Sequence, residues 1–167
     1  MLVSLRLLAK IQDGYSLDIG GVHGVRHWGR VHEIGLRLAS LTGADPVVLE
    51  LFSVFHDSRR INDGGDPHHG PRGAALARKL CGEYFDATEQ QLEQLCRACN
   101  GHTHGKPSAQ EDITVLTCWD SDRLDLSRVG ITPDPKFLCT PSARTTEMIR
   151  WAFSLYLSNF EKYPFYI

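Results

Sequence analysis

Apolar residues recur at the three- and four-residue spacing of an amphipathic helix along most of this chain, and strictly alternating runs of β-branched residues are hard to find. That pattern predicts an all-α fold. Leu2 to Gln12 reads as a first helix, ended by Asp13-Gly14. A longer helix from about Gly24 to Leu41 puts Val31, Ile34, Leu38 and Leu41 on one stripe. Asp45-Pro46 supplies a cap and a proline at the first helical position, opening the apolar run Val47 to Phe55, which reads as a central, buried helix. Ile61 to Pro67 is a loop rich in Asp, Asn and Gly, and a helix from about Pro71 to Cys81 follows. Thr88-Glu89-Gln90-Gln91 has capping-box form and starts a helix reaching about Asn100, with Gly101 to Pro107 as a second loop. A helix from about Glu111 to Leu124 comes next. Pro133, Pro135 and Pro141 then punctuate an irregular stretch, and an amphipathic helix from about Arg144 to Phe160 completes the pattern. No repeat or linker divides it, so the 167 residues read as a single domain, a helical bundle over 1–167.

The polar residues matter most where they interrupt this pattern. His56-Asp57 stands at the C-terminal end of the Val47–Phe55 run, so an apolar helix delivers two potential metal ligands inward, where leaving them unpaired is costly. His23, His27, His68, His69, His102 and His104 also fall at helix ends or in loops, and only His32 reads as an unremarkable mid-helix residue. Imidazole and carboxylate together suit ions such as zinc, iron or manganese, and helical bundles assemble such sites from facing helices. Asp45 reads as a helix cap, and Asp63 and Asp66 as solvated turn residues. Trp28, Trp119 and Phe137 are candidates to stack on a base, although aromatic residues on helices are more often core.

Composition narrows the classes. Hydrophobic residues at 42% and charged residues at 23% are ordinary for a globular chain, and a net charge of -2 argues against a general nucleic-acid-binding surface. The odd count of five cysteines, set among helical segments, fits reduced thiols in a cytoplasm. Cys96-Arg97-Ala98-Cys99 has C-x-x-C form, but lacks the second pair or the βαβ context that a zinc or redox role needs. Met1 to Lys10 is apolar yet short and broken by Arg6, and no stretch approaches the roughly 18 uninterrupted apolar residues of a membrane span.

His27, the adjacent His56-Asp57 and the later Asp120-Ser121-Asp122-Arg123-Leu124-Asp125 stand in an order that resembles the HD superfamily of metal-dependent phosphohydrolases. Its signature is one His, a His-Asp pair, and a distant Asp often followed by Arg or Lys and Leu. The resemblance covers about Gly21 to Arg128, with Trp28-Gly29-Arg30-Val31 also similar. Two-metal members carry two further histidines, the first followed four residues later by glycine and the second at the end of a later helix; His69 with Gly73, and His102, match these. The resemblance implies an HD-type bundle binding one or two divalent metal ions (Mn, Fe, Zn, Mg, Co or Ni) through His27, His56, Asp57, His69, His102 and Asp122, with Asp57 as the bridge. His68 could replace His69, His104 could replace His102, and Asp120 could replace Asp122. His23, one turn before His27, could act as a proton donor or as a group behind the ligands.

By the same resemblance the expected activity is hydrolysis of a small phosphate ester or nucleotide by metal-activated water, with His56, Asp57 and His23 at the chemistry. Arg30, Arg59, Arg60, Arg72, Lys106 and Arg123 lie beside proposed ligands in the sequence and are candidates to bind phosphate oxygens. Two other classes remain open here: an HD-type diiron oxygenase acting on a small organic substrate, and a non-catalytic domain stabilised by metal. No glycine-rich phosphate loop or base-reading motif singles out a substrate.

Overall fold

The computed structural model describes residues 3–158 and shows seven α-helices with two short 3-10 turns. The helices are α1 (Leu5–Gln12), α2 (Val25–Thr42), α3 (Pro46–Phe55), α4 (His69–Leu80), α5 (Glu89–Gly101), α6 (Ile113–Arg123) and α7 (Thr146–Leu157). The turns span Leu126–Val129 and Pro135–Phe137. No strand occurs among the described residues, so the all-α expectation holds.

Local chemistry sets most boundaries. Ser4, Asp45, Thr88, Asp112 and Thr145 each place a side-chain oxygen on an early helical N–H that has no partner within the helix. At α5 the cap is a full box, with Gln91 reaching back to the Thr88 backbone. Gly43, in the left-handed region at φ 76°, ends α2. Helix α4 begins at His69, two residues before the expected Pro71. Proline is tolerated there because first-turn N–H groups lack intrahelical acceptors in any case. The expected starts at Leu2 and end at Phe160 lie outside the described residues.

Helix α3 is the hub. Val48, Leu49, Leu51, Phe52, Val54 and Phe55 have no solvent exposure and pack among α1, α2, α4, α5 and α6. Burying each large side chain contributes about 1.5–3 kcal/mol, which fixes the end of α3, and therefore His56 and Asp57, rigidly in the interior. A second apolar cluster, including Ile34, Leu38, Leu124, Leu138 and Met148, joins α2 and the end of α6 to α7. Leu41 does not belong to the buried stripe: it lies at the edge of that face in the last turn of α2, and is 58% exposed. Four of the five cysteines are buried and Cys81 is half-buried, all as free thiols.

Candidate metal centre

The six expected ligands come together. His27 projects from the first turn of α2, His56 and Asp57 from the end of α3, His69 from the start of α4, His102 from the end of α5 and Asp122 from the last turn of α6. Their donor atoms form two triads sharing Asp57, namely His27/His56/Asp57 and Asp57/His69/His102, with atoms in each within 4.8 Å of one another. Asp122 Oδ1 lies 3.3 Å from His27 Nε2 and 3.8 Å from His56 Nε2. All of the triad residues are buried.

The hydrogen bonds fix what these rings offer. Each histidine uses Nδ1 on an acceptor: His27 on Asp125 Oδ2 at 2.7 Å, His56 on Phe52 O at 3.0 Å, His102 on Cys99 O at 2.7 Å, and His69 on Asp66 O. With the proton on Nδ1, the four Nε2 atoms are unprotonated and point inward, the tautomer of a metal-ligating imidazole, and only that of His69 has a donor on it, Arg60 Nη1 at 3.1 Å. They face one another in pairs, His27 to His56 at 2.9 Å and His69 to His102 at 2.7 Å. Opposed lone pairs at that separation repel unless a cation holds them, and Asp122 Oδ1 is buried there with no hydrogen-bond partner. The donor set therefore fits divalent cations.

Electrostatics agree. Burial pushes the His56 imidazole down to about 3, so it stays neutral and available as a ligand. Burial alone would raise the Asp57 and Asp122 carboxyls. The neighbouring His56, the close His102 and His69 rings and the hydrogen bond from His23 instead hold Asp57 well below the usual range. His27 and Arg128 do the same for Asp122. His102 would be lowered by burial, but its contact with Asp57 shifts it upward.

The open alternatives separate by position. His68, the N-cap of α4, is exposed, and His104 is exposed at the rim of the cavity described below. Asp120 faces away: it accepts from Cys139 N, Thr140 N and Thr140 Oγ1 at 2.6–2.8 Å, stitching the 138–140 segment to α6. His23 donates Nδ1–H to Asp57 Oδ2 at 2.8 Å, placing it behind a ligand and not on the cavity wall.

A cavity of about 570 Å³ opens from Asp57, His102 and Asp122. Arg60, Lys106, Arg123 and Arg128 bring positive charge to it, and Leu126, Ile131, Pro133, Phe137 and Leu138 form an apolar side. The expected anion-binding residues divide accordingly. Lys106 and Arg123 line the cavity, although Arg123 turns its guanidinium onto the carbonyls of Phe137, His102 and Gly105. Three expectations need correction. Arg30 is clamped on Asp125, Arg59 donates to Ile11 O and Ser58 O, and Arg72 to Arg59 O and Asp66, so none reaches the cavity. Asp66 is likewise not a solvated turn residue: it is buried, accepting from Arg72 and Ile61 N. Of the aromatics, Trp28 and Trp119 are core and Phe137 is exposed on the cavity wall.

Two residues were missed from the sequence. Asp125, fully buried, orients His27 and neutralises Arg30. Arg128 lies 3.6 Å from Asp122 Oδ1. The signal was present, since Asp122, Asp125 and Arg128 follow at three-residue steps that keep them on adjoining faces.

No family model matches the sequence, and neither does any curated protein. Among solved structures, a predicted HD superfamily hydrolase from an uncultured Thermotogales bacterium superimposes with a TM-score of 0.65 at 23% identity, covering 92% of this chain and 87% of that one. The chain has the HD-type helical fold. Its buried His/Asp cluster fits a divalent metal site by the chemistry of its side chains. No helix among the described residues is long and apolar enough to cross a membrane.

Proposed function

We propose that this protein is a metal-dependent hydrolase of small phosphate esters, nucleotides being the first substrates to assay. The observation that carries the reading is the convergence of four unprotonated imidazole nitrogens with Asp57 and Asp122 at the floor of a cavity that Arg60, Lys106 and Arg128 also line. The superimposing protein is described as a hydrolase, which agrees with it. His27, His56, Asp57 and Asp122 would hold one divalent cation, and Asp57, His69 and His102 a second. Such an ion lowers the pKa of a water and polarises the phosphoryl oxygen.

The chain's own residues supply the remainder. Arg128, Arg60 and Lys106 meet the negative charge of the phosphoryl group, the guanidiniums matching its oxygens in a forked geometry. The apolar wall around Ile131 and Phe137 receives the organic part and excludes water from it. Asp125 holds the His27 ring, and His23 holds Asp57, so that neither ligand must reorganise during reaction. In hydrolysis the water oxygen forms the new bond to phosphorus, and the ester oxygen leaves with its electron pair and takes up a proton. The same six donors suit dioxygen chemistry, but the cations at the cavity favour an anionic substrate and hydrolysis.

Metal analysis of the purified protein, followed by phosphate release from nucleoside monophosphates and simple phosphodiesters under air and under nitrogen, tests this. Release independent of oxygen is expected. Oxygen consumption with an organic substrate and no phosphate release would overturn the proposal. His56→Ala and Asp57→Ala should each lose metal and activity together.

A further inference from the structure

Arg60 holds a position that anion binding alone does not explain. Its Nη1 donates to Asp57 Oδ1 at 3.3 Å and to His69 Nε2 at 3.1 Å, two of the three donor atoms of the Asp57/His69/His102 triad. The guanidinium is tethered on its other edges, Nη2 to Gly64 O at 2.8 Å and Nε to Asn62 O at 3.3 Å. A lone pair on His69 Nε2 that accepts from an arginine is not free to bind a metal ion.

The two halves of the centre are unequal in charge as well. Asp57 Oδ2 serves the His27/His56 half, at 3.6 and 3.7 Å, where the Asp122 carboxylate adds a second charge with Arg128 3.6 Å from its Oδ1, while Asp125 behind His27 is paired with Arg30. Asp57 Oδ1 serves the His69/His102 half, at 3.2 and 3.6 Å, where the rings are backed only by the Asp66 and Cys99 carbonyls and Arg60 already supplies a fixed positive charge. One half thus offers two carboxylates, whereas the other offers one and has a cation hydrogen-bonded to its donor atoms.

We infer that Arg60 is a tethered cation competing with the second metal ion, so that the His27/His56 half fills first and the His69/His102 half fills only when the guanidinium is displaced. Displaced, Arg60 has the cavity it already lines to enter, and there it faces the anionic group of a substrate. Loading of the second ion and presentation of Arg60 to substrate are therefore one event. This rests on the metal site proposed above and goes beyond it in assigning an order to its occupancy.

The test is titration of the full, metal-stripped chain with Mn²⁺, followed by calorimetry and by electron paramagnetic resonance. In the wild type the first ion is expected to bind at least about tenfold more tightly than the second, since the second must displace a like charge from shared ligands. An isolated-ion spectrum should accordingly persist past one equivalent. Arg60→Gln removes the charge and leaves a shorter, neutral polar side chain, and should strengthen the second binding step about tenfold or more, with the spin-coupled pair forming at lower Mn²⁺. Equal affinities in the wild type overturn the inference without recourse to any variant. So does an Arg60→Gln protein whose second step is unchanged or weaker. A wild-type chain that binds no Mn²⁺ fails differently, removing the metal site itself and this inference with it.

Discussion

Gly70→Ala is the most direct perturbation of how the two halves of the centre are held together. Gly70 is the second residue of α4, beside His69, and a Cβ built on it would stand 2.2 Å from the Cys99 carbonyl oxygen. That is about 1 Å short of the distance at which ordinary van der Waals contact begins. The obstacle is backbone at the end of α5, not the tip of a flexible side chain, and the same carbonyl receives His102 Nδ1. Relief therefore requires α4 and α5 to separate. Overpacking of this kind costs about 1–3 kcal/mol, against about 1 kcal/mol gained from alanine's better helix propensity, leaving a net loss of about 2 kcal/mol with the strain at the upper end. The effect on metal should be larger, because ligand positions tolerate only about 0.2 Å while the helices must part by about 1 Å. Urea denaturation of the metal-free protein reads the first quantity, and metal titration at the His69/His102 half reads the second. Gly65→Ala is the control, since a Cβ there meets nothing within 4 Å. A Gly70→Ala protein as stable as wild type, with undiminished second-metal affinity, would refute the close-approach reasoning.

Other outcomes follow from the same geometry. Asp125→Asn should weaken metal binding about 10–100-fold by releasing the His27 ring, and should destabilise the fold by about 3–5 kcal/mol by leaving the Arg30 charge buried without its partner; unchanged calorimetric metal affinity would contradict this. Asp120→Asn should cost about 1–3 kcal/mol of stability through the lost Cys139 and Thr140 contacts, yet leave metal affinity intact. Asp122→Asn should do the reverse, and paired denaturation and metal titrations separate them. In the metal-free protein, His56 titrates near 6.5 when unfolded and about 3 when folded. Below pH 6.5 the unfolded chain binds a proton that the folded chain refuses, so stability from this residue is complete above 6.5 and declines as pH falls toward 3. His102, shifted upward, works in the opposite sense. The stability advantage of wild type over His56→Asn should therefore shrink between pH 7.5 and pH 4.5, and an advantage that grows would contradict the assignment.

The helices and the ligand cluster were legible because both are written locally. Caps such as Asp45-Pro46 and Thr88 with Gln91 act within one turn, and the end of an apolar run announces where His56 and Asp57 must point. The direction of Asp120 and Asp122 was not legible. Two residues apart on a helix they diverge by about 200°, and which one faces the histidines depends on the backbone N–H groups of Cys139 and Thr140, far along the chain. Arg30, Arg59 and Arg72 show the other limit. Proximity in sequence to a ligand does not place a long side chain in its cavity, because nearby carbonyls and carboxylates capture guanidinium groups first. Asp66 misleads for the same reason, since its burial is decided by Arg72 and not by the polar loop around it.

The Arg123 guanidinium bridges the 102–105 loop to the Pro135–Phe137 turn through three backbone carbonyls. Because it grips main-chain oxygens, the side chains on either bank can change identity while the gap between them keeps its width. The mouth of the cavity is thereby a frame with interchangeable panels: residues 131–137 can be rewritten to suit a different leaving group while the ion-holding floor, built from other helices, is left untouched. Engineers seeking a new substrate range would vary those panels and keep Arg123 itself constant.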